Sequence, residues 1–412
     1  MLPSVPRVAV LLAAFLLVAA TACGDEVPVV ANGEVPSAGV LTAHLEELWR
    51  IGGEDDEENL LGVIDQVEVD DQGNVYLLDV QLVEVQVFDA DGAYLKSLGR
   101  RGDGPGEVRF ASAFLFLPNG NLGLVQGFPG RIVMLDPDGV TAGEIRPGGD
   151  DPTDGGFLAL RGAAAVGNHL VLSGMRMTRG DNSRTADHFI ASYGDDGSVG
   201  EVFLGATTVR EFRSAEISEA EEFFPHRGGW ALGPDGRVVV APLRNTYRLE
   251  VHAPDGGIER VITRPYRSWE RTAAEMARAQ EMLMPSRRRS RRNIGLDMAP
   301  TEKDILEVQV DADGRIWVLP SRGVREQPAG VHSTWDVFDP AGNFTHQVAI
   351  ACEGRGLQDA LFLPGDGLAV LVREHAAAMF AFRGQGADDP DADTEEAPIR
   401  PLEVICYRLS LE

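Results

Sequence analysis

Asp70-Asp71-Gln72-Gly73, followed by the apolar run Val75-Tyr76-Leu77-Leu78 and then by Asp89-Ala90-Asp91-Gly92, is the stretch on which the fold turns. Asp or Pro opens a type I turn, and Gly accepts the positive φ that lets two strands run on. Each turn therefore closes a hairpin. The run between them is apolar at consecutive positions, which marks a short strand covered on both faces. Two hairpin turns in one unit mean four strands.

The pair recurs. Leu117-Pro118-Asn119-Gly120 goes with Asp136-Pro137-Asp138-Gly139, and Val166-Gly167-Asn168 more loosely with Asp195-Asp196-Gly197. Gly233-Pro234-Asp235-Gly236 goes with Ala253-Pro254-Asp255-Gly256, and Asp311-Ala312-Asp313-Gly314 with Asp339-Pro340-Ala341-Gly342. Leu363-Pro364-Gly365-Asp366-Gly367 opens a sixth unit. Six four-stranded units, each buried by its neighbours, predict an all-β, six-bladed β-propeller over residues 44–412 with four-stranded antiparallel blades. The last unit is short of chain after Leu402–Tyr407. Leu45–Gly52 reads like a fourth strand, so N- and C-terminal strands are expected to close the ring in one blade.

Asp-x-x-Gly-Asn-Val-Tyr at 70–76, Val-Gln-Val-Phe-Asp-Ala-Asp-Gly at 85–92 and Gly-Arg-Arg-Gly-Asp-Gly-Pro-Gly-Glu at 99–107 together resemble an NHL-type repeat. The chain is similar to bacterial six-bladed propeller lipoproteins with NHL-like repeats. The resemblance is strongest in the first two units and weakest in the third and sixth. It implies a fold and an address, and it carries over no catalytic residue.

The address is at the N-terminus. Arg7 precedes the apolar run Val8–Ala22, which is too short to span a bilayer and reads with residues 1–22 as a signal peptide. Ala20-Thr21-Ala22-Cys23 resembles a lipobox, which implies lipidation at Cys23 and a membrane partner reached through that lipid. Gly24 after Cys23 is compatible with the outer membrane of a bacterial cell envelope. Residues 23–43, rich in Val, Pro, Gly and Ala, read as a flexible tether.

Charge excludes one class of partner. The chain has 37 Lys plus Arg against 64 Asp plus Glu, a formal net charge of −27, so phosphate backbones are repelled and nucleic acid is not expected. Three cysteines rule out a disulfide-dense scaffold or a multi-Cys zinc site. Cys352 and Cys406, in or beside consecutive blades, could form a disulfide after export, or strand alternation could point them apart.

Length varies only between strands two and three of a unit and between units, at Met175–Asp187, Ser321–Thr334, Arg383–Pro401, Thr207–Phe224 and Ser268–Lys303. Both kinds of connection emerge on one face of a propeller. A scaffold tight on one side and elaborated on the other points to binding on the elaborated side, of a protein or a glycan. Ser268–Met284 is predicted to be a helix, capped by Ser268 with Glu270 in its first turn, lying near 268–285 either as a partial lid or as a packing element.

Charged residues expected where first strands begin are Glu107, Arg109, His226, Arg227, Glu302, Glu353 and Arg355, the ligand-face candidates. Arg287–Arg292 reads as a solvated basic loop. Asp388–Glu396 reads as an acidic loop, because Thr394 and Arg400 stand where a calcium loop needs Gly and Glu. No HExxH, Gly-x-Ser-x-Gly elbow or P-loop is present, so no catalytic residue is assigned and no cofactor is expected. The alternative is a metal-dependent propeller enzyme (a lactonase, a lyase or a glycan-cleaving enzyme), which would gather carboxylates or His around a divalent ion on the axis.

Overall fold

The computed structural model describes residues 27–411 except 55, 57, 58, 60, 149–155, 213–215, 285–293 and 386–399. The expected signal peptide, Cys23, the basic run 287–292 and the acidic run 388–396 lie outside the described residues.

Six four-stranded antiparallel blades form a ring. Blade one comprises Ile64–Val69, Val75–Asp79, Glu84–Phe88 and Tyr94–Leu98, and blade two Ala111–Phe116, Leu122–Gln126, Arg131–Leu135 and Thr141–Ile145. Blade three has the long strands Gly156–Val166, His169–Arg179, Ser183–Tyr193 and Val199–Glu211. Blade four is short, with Trp230–Leu232, Val238–Val240, Arg248–His252 and Ile258–Thr263. Blade five uses Ile305–Val310, Ile316–Pro320, Val331–Phe338 and Phe344–Ala351. Blade six takes Ala360–Gly365, Leu368–Arg373 and Glu403–Leu411 from the C-terminal region and Val40–Gly52 from the N-terminal region. Trp49 pairs with Cys406 in that closure, as the sequence predicts.

The apolar core lies between blades, not within them. Separate clusters join blades six, one and two, blades two and three, three and four, four and five, and five and six. This is why the central strands are apolar at consecutive positions: Leu77, Leu78 and Val75 are all buried, and so are Val238, Val239 and Val240.

The turns owe their shape to their first aspartate. The Asp70 carboxylate accepts the backbone N–H of Gln72 and Asn74 and the Asn74 amide, while Gly73 sits at φ +80°. Asp89, Asp136, Asp311 and Asp339 accept the N–H two and four residues on in the same way. These aspartates make turns.

Two expectations are corrected. The stretch read as a flexible tether is, from residue 27, laid along the outside of the ring. Val29–Ala31 adds a parallel strand to the outer edge of blade four, and Val40–His44 pairs in parallel with the outer strand of blade five before the same strand passes into blade six. Backbone pairing needs no side-chain periodicity, so composition concealed it. The disulfide is also corrected, since Cys352 and Cys406 are separate thiols. Alternation on Glu403–Leu411 explains it. Cys406 joins Val404 in the cluster facing blade one, whereas Cys352 packs on the opposite cluster with Ile405 and Tyr407.

Candidate functional site

Because strands alternate in direction, the aspartate turns share one face, and the inserted connections share the other. On the insertion face, helix α1 spans Ala273–Leu283 and a second helix, α2, spans His375–Gln385. The sequence placed the first helix four residues too early. Its cap is Thr272, whose hydroxyl accepts the Glu275 N–H while Glu275 accepts the Thr272 N–H, a capping box. Helix α2 went unread. Its sequence, HAAAMFAFRGQ, carries no cap signal and ends in Gly and Gln.

The insertions are bound to one another. Arg271, almost wholly buried, lies 2.7 Å from Glu219 and 3.1 Å from Glu302. Arg244 reaches Glu219 at 2.9 Å, and Arg325 reaches Glu275 at 2.7 Å and Glu302 at 3.4 Å. Four separate connections are thereby joined by charge-assisted bonds in partly buried surroundings, where they are stronger than at a free surface. Burial alone would raise the Glu275 carboxyl, but Arg325, Thr272 and Trp269 donate to it and bring it down to about 2. Glu302 therefore braces this network.

Most other ligand-face candidates brace loops too. Glu107 accepts the Gly104 N–H at 2.8 Å and pairs with Arg100 at 2.8 Å, which shapes the Gly-Asp-Gly-Pro-Gly loop. Arg109 pairs with Asp103. Glu353 meets Arg50 at 3.3 Å, and Arg355 holds Glu374 at 2.7 Å and Asp359 at 3.5 Å. Only His226 and Arg227 are drawn inward. Arg227, just ahead of the first strand of blade four, contacts Asp65 at 2.6 Å and the Ser112 carbonyl at 2.5 Å. Blades one and four are opposite in a ring of six, so this pair spans the axis.

Bulges recur on the first strands that frame this point. The register slips between Ile64 and Gln66, Ala111 and Ala113, Leu160 and Gly162, and Ile305 and Glu307, which leaves Asp65, Ser112, Arg161 and Leu306 as the extra residues. Asp65 and Arg161 could not be picked out from sequence before this register was known; the one signal was Gly162, an isolated glycine within a strand.

His226 bonds through Nε2 to Nδ1 of His188 at 2.9 Å, and His188 Nε2 meets the Thr208 hydroxyl at 3.0 Å. Burial, then the charges of His188 and Arg161, push His226 down to about 3, so this pair is neutral near pH 7. Further along the first strand of blade one, burial raises the Glu68 carboxyl to about 7 against the opposing hydrogen bond from Gln66. Among the described residues, no three His, Cys, Asp or Glu side chains are grouped to hold a metal ion.

A cleft of 540 Å³ opens between blades four and five, lined by Arg264, Tyr266, Arg322, Glu326 and Gln347 among others. Arg264 is already neutralised there. The fully buried Asp336 holds it at 2.5 Å and also accepts Tyr247 at 2.6 Å and Gln347 at 2.9 Å.

The exposed phenylalanines are one-sided. Phe110, Phe128, Phe157, Phe212 and Phe380 are 44–62% exposed, and each lies in or beside a connection of the insertion face. Among the described residues no phenylalanine is exposed at an aspartate turn, where the large apolar side chains left in water include Val140 at 62% and Tyr94 at 53%.

Residues 25–137 match the model of a family described as a 6-bladed beta-propeller. No curated protein matches the chain. Among solved structures, a protein of Bacteroides fragilis NCTC 9343 described as exported is 11% identical over 93% of this chain and 99% of its own, with a TM-score of 0.48. A member of the duf4221 family from Bacteroides vulgatus is 10% identical over 90% and 99%, TM-score 0.47. A catalytically inactive virginiamycin B lyase from Staphylococcus aureus, solved with quinupristin, is 11% identical over 82% and 83%, TM-score 0.39. None reaches a TM-score of 0.5, so they carry no argument about activity or ligand.

Proposed function

We propose that the chain is a lipid-anchored, extracytoplasmic propeller that holds a protein or glycan partner on its insertion face. The observation that carries this reading is the sidedness of exposed phenylalanine. Aromatic side chains left in water cost free energy that a monomer avoids, and a cluster of them marks a contact surface. The ion-pair network adds to it: insertions fastened to one another present a fixed shape, which lowers the entropy lost on binding. The anchor rests on Ala20-Thr21-Ala22-Cys23, and placement in a bacterial outer membrane rests on Gly24. No helix among the described residues is long and apolar enough to cross a membrane. Metabolic labelling with a fatty-acid probe tests the anchor: Cys23→Ser abolishes labelling, and persistent labelling of that variant contradicts it. Replacing Phe128 and Phe157 with Ser, where both rings are exposed and in mutual contact at 5.9 Å, is expected to abolish partner binding and leave the melting temperature nearly unchanged.

A further inference from the structure

Three guanidinium groups gather at the axis on the insertion face, and they come from three different blades. Arg227 of blade four reaches across to Asp65 at 2.6 Å and to the Ser112 carbonyl at 2.5 Å. Arg161 stands at the bulge in the first strand of blade three. Arg383 lies in the last turn of α2, in the connection of blade six, where its Nη1 is 4.0 Å from Met282 Sδ of α1. All three residues keep surface exposed to solvent, while the protein packed around Arg161 and Arg383 partly desolvates their guanidinium groups.

Their charges are felt mutually. Burial and then the charges of Arg227 and Arg383 make Arg161 a poorer cation than usual. Burial does the same to Arg383; Asp65 partly offsets it, and Arg227 adds to it. Among the described residues, Asp65 is the one carboxylate within ion-pair distance of any of the three. Among the described residues, three cations therefore face one anion, an excess of two positive charges in a chain with a net charge of −27. The neighbouring His226 and His375 are both held toward neutrality by burial and offer no negative charge. The contrast is Arg264 in the blade four–five cleft, whose partner Asp336 is fully buried and fully hydrogen-bonded. Like charges are held together at a net cost unless a counter-charge completes them, and planar guanidinium groups match tetrahedral oxyanions with paired donors.

We infer that Arg161, Arg227 and Arg383 form an anion site on the propeller axis, built for a tetrahedral oxyanion carried by the ligand of the insertion face, either a phosphomonoester of nearly two negative charges or a sulfate ester of one. The inference rests on the reading of that face as the binding surface. Asp65 positions Arg227 and sets the net charge of the site.

Calorimetric titration of the full chain with inorganic phosphate, and separately with sulfate, at low ionic strength tests it. Saturable binding with one site per chain is expected, with glucose giving no heat. Arg161→Ala and Arg383→Ala each weaken binding about tenfold or more, since a hydrogen bond to a charged group contributes about 1.5–3 kcal/mol. Both side chains are partly desolvated and mutually repelled, so these variants keep or raise the melting temperature without phosphate. Asp65→Asn tightens phosphate binding by freeing Arg227. Absence of saturable binding by either ion, equal affinity in the Arg161 and Arg383 variants, or weaker binding in Asp65→Asn overturns the inference. Phosphate failure alongside retained partner contact at Phe128 refutes the axial site alone. Phosphate capture by the arginines with no partner at the loops upholds the site and refutes the reading of the loops.

Discussion

The two faces of the ring use the same residue types to opposite ends. On the turn face, acids serve the backbone: Asp70, Asp89, Asp136, Asp311 and Asp339 each accept two N–H groups of their own turn. On the insertion face, acids serve arginines. Glu219, Glu275 and Glu302 tie inserted segments together, while Asp65 meets the axial Arg227. A turn satisfied within a few residues can be repeated and stays short. Segments fastened to each other across blades can be long and different in every blade, and that freedom is where specificity can be built.

Breaking the closure shared by both faces has the largest expected effect. Trp49 on the closing strand packs against Gly92 in a turn of blade one, and the Phe88 ring is 6.1 Å away. Deleting residues 27–52 is expected to abolish cooperative unfolding by removing the outer strand of blade six, and Trp49→Ala to cost about 3–5 kcal/mol in denaturant titration. Next comes the insertion side of the core. Asp336→Ala strands the buried Arg264 and is expected to cost about 3–5 kcal/mol, more than Asp311→Ala on the turn face at about 1 kcal/mol.

The turn face can be resolved further by its glycines. Gly73 and Gly92 have nearly the same φ, +80° and +83°. A Cβ on Gly73 meets only Ala90 at 3.6 Å, whereas one on Gly92 falls 2.7 Å from the Trp49 ring. Gly73→Ala is expected to cost about 1–2 kcal/mol for the left-handed backbone alone, and Gly92→Ala more. Equal losses would remove Trp49 from that turn.

The smallest effect is on pH dependence. Burial raises Glu68 from 4.5 to about 7, so the folded chain binds more protons than the unfolded between those values. Its contribution is complete below pH 4.5 and is lost as pH rises through 7. His226, lowered from 6.5 to about 3, acts in the other direction: its contribution is present above pH 6.5 and is lost as pH falls through 3. Glu68→Gln should remove the fall in stability between pH 4.5 and 7, measured by thermal melts across about pH 3–9, and leave the slope above pH 7 unchanged.

The ring was legible because its signal is local. Six glycine-bearing turns recur, and the blade count follows from them. What escaped was held together by distant partners. Val29–Ala31 and Val40–His44 pair through backbone with blades four and five, so their composition looked like a linker. Helix α1 was foreseen but started at the wrong residue, although Thr272-x-x-Glu275 was there to be read. Helix α2 gained its place by burying Ala378 and Met379 in the cluster of blades six and one, a tertiary effect. At the axis, His226 and Arg227 were picked out, while Asp65 and Arg161 depend on a bulge that only the register exposes.

The claim that one face alone meets a partner is tested most directly by photocrosslinking in intact cells. A photoreactive residue is placed in turn at Phe128, Phe157 and Phe380, and at Asp91, Asn119 and Ala341 on the turn face. Adducts from the three phenylalanine positions and none from the turn positions are the predicted result. Adducts from the turn positions, with none at the phenylalanines, would contradict it.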